Sequence, residues 1–219
     1  KPSAGEPIIN PVQDMVLGCY FLTQVHDGKK GEGMVFGSPD EAFLAHNHEV
    51  IDLQAKIKVR VSKVEGEGTE IIDTSVGRMH FEAVMPTGLG HLTKAMTKKE
   101  LSKLLAKCLE LHGEDETVQF ADRIKDIGFK YATLSGVSIA ASDIIVPKEY
   151  DTLVDEANEK VKQINNFFWK GFITADERYV HAIRVWAEVK NKVSKFMVDE
   201  FLKVPENDIT YVIDSGARG

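Results

Sequence analysis

Cysteine is scarce in this chain: Cys19 and Cys108 are the two among 219 residues, far apart and outside any Cys-x-x-Cys spacing. That argues against a zinc site and against a disulfide framework. No apolar run approaches the roughly 20 residues of a membrane-crossing helix. The first residues, KPSAGEPIINP, lack a signal-peptide layout. Together these point to a reducing, cytoplasmic setting with no membrane partner. Positive charge is not in surplus either: the formal net charge is −7. A protein that grips nucleic acid by itself needs Lys and Arg to displace counterions from phosphates. If this chain works near nucleic acid, other elements do most of the gripping.

Frames for self-contained catalysis are also missing. The loop HDGKKGEG (26–33) is rich in glycine, but neither G-x-x-x-x-G-K-[ST] nor G-x-G-x-x-G fits it, so it reads as a flexible turn. His46 and His48 form H-x-H without a third ligand nearby and read as a surface coincidence. There is no G-x-S-x-G elbow and no aspartate cluster spaced for two metals. Cys108 falls on a leucine stripe and reads as core packing.

What is present is mostly helical. VQDMVLGCYFLT (12–23) reads as a short apolar helix after an irregular, proline-containing opening. In LQAKIKVRV (53–61), Leu53, Ala55, Ile57, Val59 and Val61 alternate with Gln54, Lys56, Lys58 and Arg60, the pattern of a half-buried strand. EGEGT (65–69) is a turn, from which EIIDTSV can return antiparallel. The basic outer face reads as solvated sheet. Thr97 and Glu100 form a capping box ahead of a stripe of Leu101, Leu104, Leu105, Cys108, Leu109 and Leu111, which Gly113 stops. A second helix covers about 117–134, with Val118, Ala121, Ile124, Ile127 and Tyr131 on one side.

The clearest pattern comes last. Val154, Ala157, Val161, Ile164 and Phe168 step by 3 and 4; so do Tyr179, Ala182, Trp186, Val189, Val193 and Phe196. These are heptad seams. Gly171 and a second capping box, Thr174 to Glu177, punctuate the break. Pro147 suits the first turn of the first helix and Pro205 closes the second. Two helices of about 30–40 Å joined so briefly must run antiparallel. The outward residues, such as Glu156, Glu159, Lys160 and Lys162, are charged, so the hairpin is expected to project as a docking post. Its tip, FFWKGFIT (167–174), is expected to turn some aromatics inward and one or two outward. The expected fold class is mainly α with a small antiparallel β element (α+β), carrying a long antiparallel coiled-coil helical hairpin.

Eight stretches then point one way, in order: SAGEPIINPVQDMVLGCYFLT, GEGMVF, LQAKIKVR, TSVGR, MPTGL, ADRIKDIGFKYATLSGVSI, GFITADERY and DSGARG. Together they resemble the β′ subunit of bacterial multisubunit DNA-directed RNA polymerase, along essentially the whole chain. The resemblance implies an internal fragment. Residues 1–144 look like the pore segment, with helices and a β hairpin. Residues 145–219 look like the funnel segment, with the rim-helix hairpin at about 147–202 and the lead-in to the F-loop. These segments line the secondary channel, where NTP enters and the backtracked RNA 3′ end is extruded. The magnesium-binding aspartate loop, N-A-D-F-D-G-D, is not in this chain. No cofactor is therefore expected in the fragment, magnesium being bound elsewhere in the subunit. The fragment is expected to be inert, although the whole polymerase is a nucleotidyltransferase of DNA-templated transcription.

The resemblance also assigns residues. Arg218, in S-G-A-R-G, would approach the triphosphate of the incoming NTP; outside its enzyme setting it is expected to be disordered. Gln13 matches a glutamine near the inner end of the channel. Glu177, Arg178 and Tyr179 match the rim-helix E-R-Y near the tip, where transcript-cleavage factors and other regulators dock. The remaining partners implied are the β, α, ω and σ subunits. The chain departs from the family pattern at Val180, His181 and Arg184, in SIAASD (138–143) and in TYVI (210–213). The first departure bears on any shared guanosine tetraphosphate site. The alternative is a freestanding coiled-coil adaptor, which would need a natural start and stop, whereas the chain opens on Lys1 and ends inside a motif. A small metal enzyme using His46 and His48 is a third reading.

Overall fold

A computed structural model describes residues 9–63, 68–144, 146–202 and 208–218. Three expectations lie outside these residues: most of the opening segment, most of the EGEGT turn, and the role of Pro205. The fold is mainly α with a small sheet. The chain divides into two compact units, Lys1–Ser138 with Tyr211–Gly219, and Ile139–Thr210.

In the first unit, α1 (Asp14–Thr23) packs along α4 (Lys98–Ser135). The contact is backbone to backbone. A methyl group added at Gly18 would lie 1.8 Å from the Gly128 carbonyl oxygen, and one at Gly128 would lie 2.7 Å from the Met15 carbonyl oxygen. Around this crossing Val16, Cys19 and Leu22 meet Phe81, Leu101, Leu105, Cys108, Phe120 and Ile124 in one core. Cys108 is buried there, as its place on the stripe implied. Burial raises the Cys19 thiol pKa to about 12, so it too is inert packing.

The α1 C-terminus leaves carbonyls without helical partners. Gln54 Nε2 donates to Phe21 O at 2.6 Å and Arg78 Nε donates to Thr23 O at 2.9 Å. Gly77, at the start of α3 (Val76–Glu82), brings its backbone so near that a methyl there would sit 1.9 Å from Leu22 O.

The sheet has the order β1 (Val35–Phe36), β2 (Ile57–Ser62), β3 (Thr69–Thr74). β2 and β3 run antiparallel, with Val59 opposite Ile72. Ile57, Val59 and Val61 point into a second core with Ala42, Ile51, Val76 and Met79, while Lys58 and Arg60 face outward. The strand is shorter than the alternation suggested, because residues 53–55 turn to meet His26 in an isolated bridge between His26 and Ala55. β1 pairs parallel to β2 and α2 (Pro39–Asn47) covers the sheet, two elements the hydrophobic pattern did not reveal. Ser38 caps α2 by accepting from the Glu41 amide.

Thr97 caps α4 as expected, but Glu100 turns to Lys103 at 2.8 Å. Gly113 (φ 79, ψ −171) breaks α4 at the predicted place, and Thr117 Oγ1 donates back to its carbonyl. The stripes need two corrections. Leu111 and Val118 are exposed, because the break at Gly113 rotates the buried face onto Thr117 and Phe120.

The second unit is a helical hairpin of α5 (Tyr150–Trp169) and α6 (Ala175–Leu202). Their contact across a five-residue connection makes them antiparallel. α5 starts at Tyr150, so Pro147 precedes the helix instead of opening it. Its seam is the expected one: Ala157 is buried and Val154, Val161, Ile164 and Phe168 are half-buried. The α6 seam is not. Ala182, Val189 and Val193 are half-buried as expected, but the remaining seam positions are Val185 and Met197, and Tyr179, Trp186 and Phe196 are exposed. Small and β-branched residues let the helices approach, and the large rings are left on the flank.

Gly18→Ala should lower the unfolding free energy by about 3 kcal/mol or more, because a backbone contact cannot yield as a side chain can. Urea unfolding measures this, with Gly37→Ala as the control, since only the end of the Glu41 side chain lies near Gly37.

Candidate functional site

The assigned residues fall into two groups. Gln13 and Arg218 belong to the first unit, and Glu177, Arg178 and Tyr179 to the second.

Gln13 stands just before α1, exposed, with φ 50 and ψ −120. A side-chain-bearing residue rarely holds that conformation, which costs about 1–3 kcal/mol. Its side chain caps nothing, although its carbonyl accepts the Leu17 amide at 3.0 Å. The strain is held by α1, which α4 fixes from behind.

Arg218 follows α7 (Asp208–Ser215). Gly216 (φ 71) ends that helix in the left-handed conformation. Ser215 is fully buried; its hydroxyl donates to Val212 O at 3.1 Å and accepts from the Ala217 amide at 3.2 Å. The Arg218 amide reaches back to Val212 O at 3.5 Å. Ala217 packs on the main core, and a methyl on Gly216 would meet Lys98 Cβ at 3.4 Å. The small residues of Ser-Gly-Ala let the turn before Arg218 settle against the start of α4. The Arg218 side chain is exposed.

At the hairpin tip, the Gly171 amide (φ 75) bonds Phe168 O and the Phe172 amide bonds Phe167 O, closing a Schellman motif. The Phe167 and Phe172 rings meet across it, centroids 6.2 Å apart. The capping box is complete: the Glu177 amide donates to Thr174 Oγ1 at 3.2 Å, and the Thr174 amide donates to Glu177 Oε2 at 2.8 Å. That backbone bond, with the Thr174 hydroxyl, lowers the Glu177 pKa. Arg178 lies over the Phe168 ring, 4.6 Å from its centroid. Two of the three E-R-Y residues thus hold the tip in shape. Tyr179 turns outward at 67% exposure, beside Trp169 at 78% and Phe172 at 71% in the same tip region. More of the tip is outward than expected: Phe168 alone of the four aromatics is half-buried, while Phe167, Trp169 and Phe172 are exposed.

His46 Nδ1 lies 2.9 Å from the Ile51 carbonyl oxygen. Among the described residues no three His, Cys, Asp or Glu side chains gather as metal ligands. No described helix is long and apolar enough to cross a membrane.

The family model of RNA polymerase Rpb1, domain 3, matches residues 1–144. The chain belongs to that family. Proteins named DNA-directed RNA polymerase subunit beta′ align along all of it. The one from Thermoanaerobacter pseudethanolicus is 37% identical over 234 residues, 20% of its own length. Those from Desulforamulus reducens and Salinibacter ruber are 39% and 40% identical, over 18% and 15% of theirs. The chain thus spans a fifth or less of these relatives. Sequence reasoning reached the family but not the side chains that hold α7. Tyr20 and Asp214 fall within stretches that carry the family resemblance, and Tyr211 lies inside the departure TYVI, but no periodic or motif signal pairs them or singles out His26.

Two outcomes test the geometry. Gln13→Gly should raise the unfolding midpoint by about 2–4 °C, as relief of strain outweighs the roughly 0.5–1 kcal/mol entropic cost of glycine. For Glu177 the shift is downward. Its contribution is present above the ordinary carboxylate value of 4.5 and is lost as pH falls through the lower folded value. Hairpin helicity, read by circular dichroism, should therefore drop on acidification below about pH 4.5, and Glu177→Gln should flatten the difference between neutral and acid pH.

Proposed function

We propose that this chain is a segment of the β′ subunit of DNA-directed RNA polymerase that lines the secondary channel in DNA-templated transcription. The observation that carries the reading is full-length alignment, at 37–40% identity, to a slice of proteins named as that subunit. The pore role belongs to residues 1–144 and the funnel role to 145–219. Arg218 meets the triphosphate of the incoming NTP: its guanidinium is always charged and offers forked donors to phosphate oxygens. An exposed arginine on a bonded turn suits that task, since the backbone is fixed and the side chain can reach. Gln13 stands at the inner end of the channel. Transcript-cleavage factors and related regulators dock at the hairpin tip through Tyr179 and the outward aromatics, while Glu177 and Arg178 keep the tip folded. The β, α, ω and σ subunits complete the enzyme, magnesium sits on another part of the subunit, and the setting is cytoplasmic. The chain alone is inert.

The test is a transplant. This chain replaces the matching segment of the Desulforamulus reducens subunit, and the polymerase is assembled. The chimera should incorporate nucleotides, and the free chain should not. Arg218→Ala should raise the KM for NTP about tenfold or more, the loss of a charge-assisted bond worth about 1.5–3 kcal/mol. Tyr179→Ala should weaken cleavage-factor binding about tenfold without changing elongation. A chimera that assembles and elongates normally with Arg218→Ala would remove Arg218 from the substrate path.

A further inference from the structure

α7 is pinned to the first unit at two points, both far apart in sequence and both on its face toward α1 and the loop after it. The Tyr20 hydroxyl donates to Asp214 Oδ2 at 3.1 Å and accepts from Gln24 Nε2 at 3.4 Å. The Tyr211 hydroxyl lies 3.0 Å from His26 Nε2. The two tyrosine rings meet edge to face, centroids 6.2 Å apart at 79°. His26 is itself fixed: its amide donates to Gln54 O at 3.0 Å, and Gln54 also holds the α1 terminus. Burial, with the charge of Lys29, lowers the His26 pKa, so at neutral pH the ring is neutral and its Nε2 can accept from the Tyr211 hydroxyl. Burial and the Asp214 charge raise the Tyr20 pKa, which keeps its hydroxyl a donor.

These four side chains do nothing for the heptad seam or the sheet. They act four to seven residues before Arg218, on the helix whose last turn sets the direction of that residue. We infer that Tyr20, Asp214, His26 and Tyr211 are positioning residues for Arg218: a two-point clamp that fixes the roll and height of α7 on α1, and so aims the guanidinium at phosphate. The inference rests on the proposed role of Arg218 toward NTP. A helix held at one point can still rotate about it; held at two, with Ser215 buried and Ala217 against the core, it cannot. α1 thereby carries both ends of the arrangement, Gln13 before its first turn and Tyr20 in its last half.

The test uses the assembled chimeric polymerase with Tyr20→Phe, Tyr211→Phe, the pair together, Arg218→Ala, and the pair combined with Arg218→Ala. Phenylalanine keeps the rings and removes only the hydroxyls. Each single change should raise the KM for NTP about threefold to fivefold and the pair about tenfold, with kcat at saturating NTP within about twofold. The deciding measurement is the combination: once Arg218 is alanine, removing the hydroxyls should raise KM no further. If Arg218→Ala raises KM while the hydroxyl changes do not, or if their effects multiply with it, the clamp is overturned and the reading of Arg218 stands. If Arg218→Ala itself leaves KM unchanged, both fall. Should Tyr20→Phe hinder assembly, Asp214→Ala on the exposed side of the same bond takes its place, with the same expected rise and the same combination to decide it.

Discussion

The closest constraint in the molecule is the contact of α1 with α4, where two glycines, Gly18 and Gly128, let one main chain rest on another. No side chain can fill or cushion that contact, so the depth and angle of α1 are set by backbone alone. The rest of the first unit is referred to this helix. Its C-terminal carbonyls bind Gln54 from the loop before β2 and Arg78 from α3. Its outer face holds α7 through Tyr20. Its N-terminus holds Gln13 in a backbone conformation that glycine would adopt without cost. A displacement of α1 would move all three together.

The hairpin obeys a different economy. A two-helix unit has one seam, and only Ala157 and Phe201 in it are buried outright among the described residues. Its integrity depends on local devices at the tip: a Schellman turn, a reciprocal capping box and a guanidinium over a ring. Each satisfies backbone or aromatic groups that water would otherwise claim. Glu177 is bonded within its own turn, to Thr174, and Arg178 lies across the tip over the Phe168 ring of α5. This leaves Tyr179, Trp169 and Phe172 as exposed aromatic surface.

Much of this was legible beforehand, and for identifiable reasons. The cap at Thr97, the capping box at Thr174, the break at Gly113, the turn at Gly171 and the alternation in β2 are local signals, written within four or five neighbouring residues. The α5 seam was legible because its apolar positions are few. On α6 they are many, and the heptad rule chose Tyr179, Trp186 and Phe196 where packing chose Val185 and Met197. Which of two adjacent stripes faces a partner is a property of the pair, not of either helix. β1, two residues long, has no period to detect, and α2 has a single buried position, Ala42, so its amphipathic signal is faint.

By itself, then, the order of residues determined the family, the helical character and the hairpin, because those rest on short motifs and local hydrogen bonds. Only the tertiary structure decided that residues 211–218 return to the first unit, that Tyr20 finds Asp214 and His26 finds Tyr211, and which rings of α6 face water. Those outcomes depend on pairings separated by up to 194 positions. Their energies exist only once a core has brought the partners within bonding distance, and no local pattern encodes them.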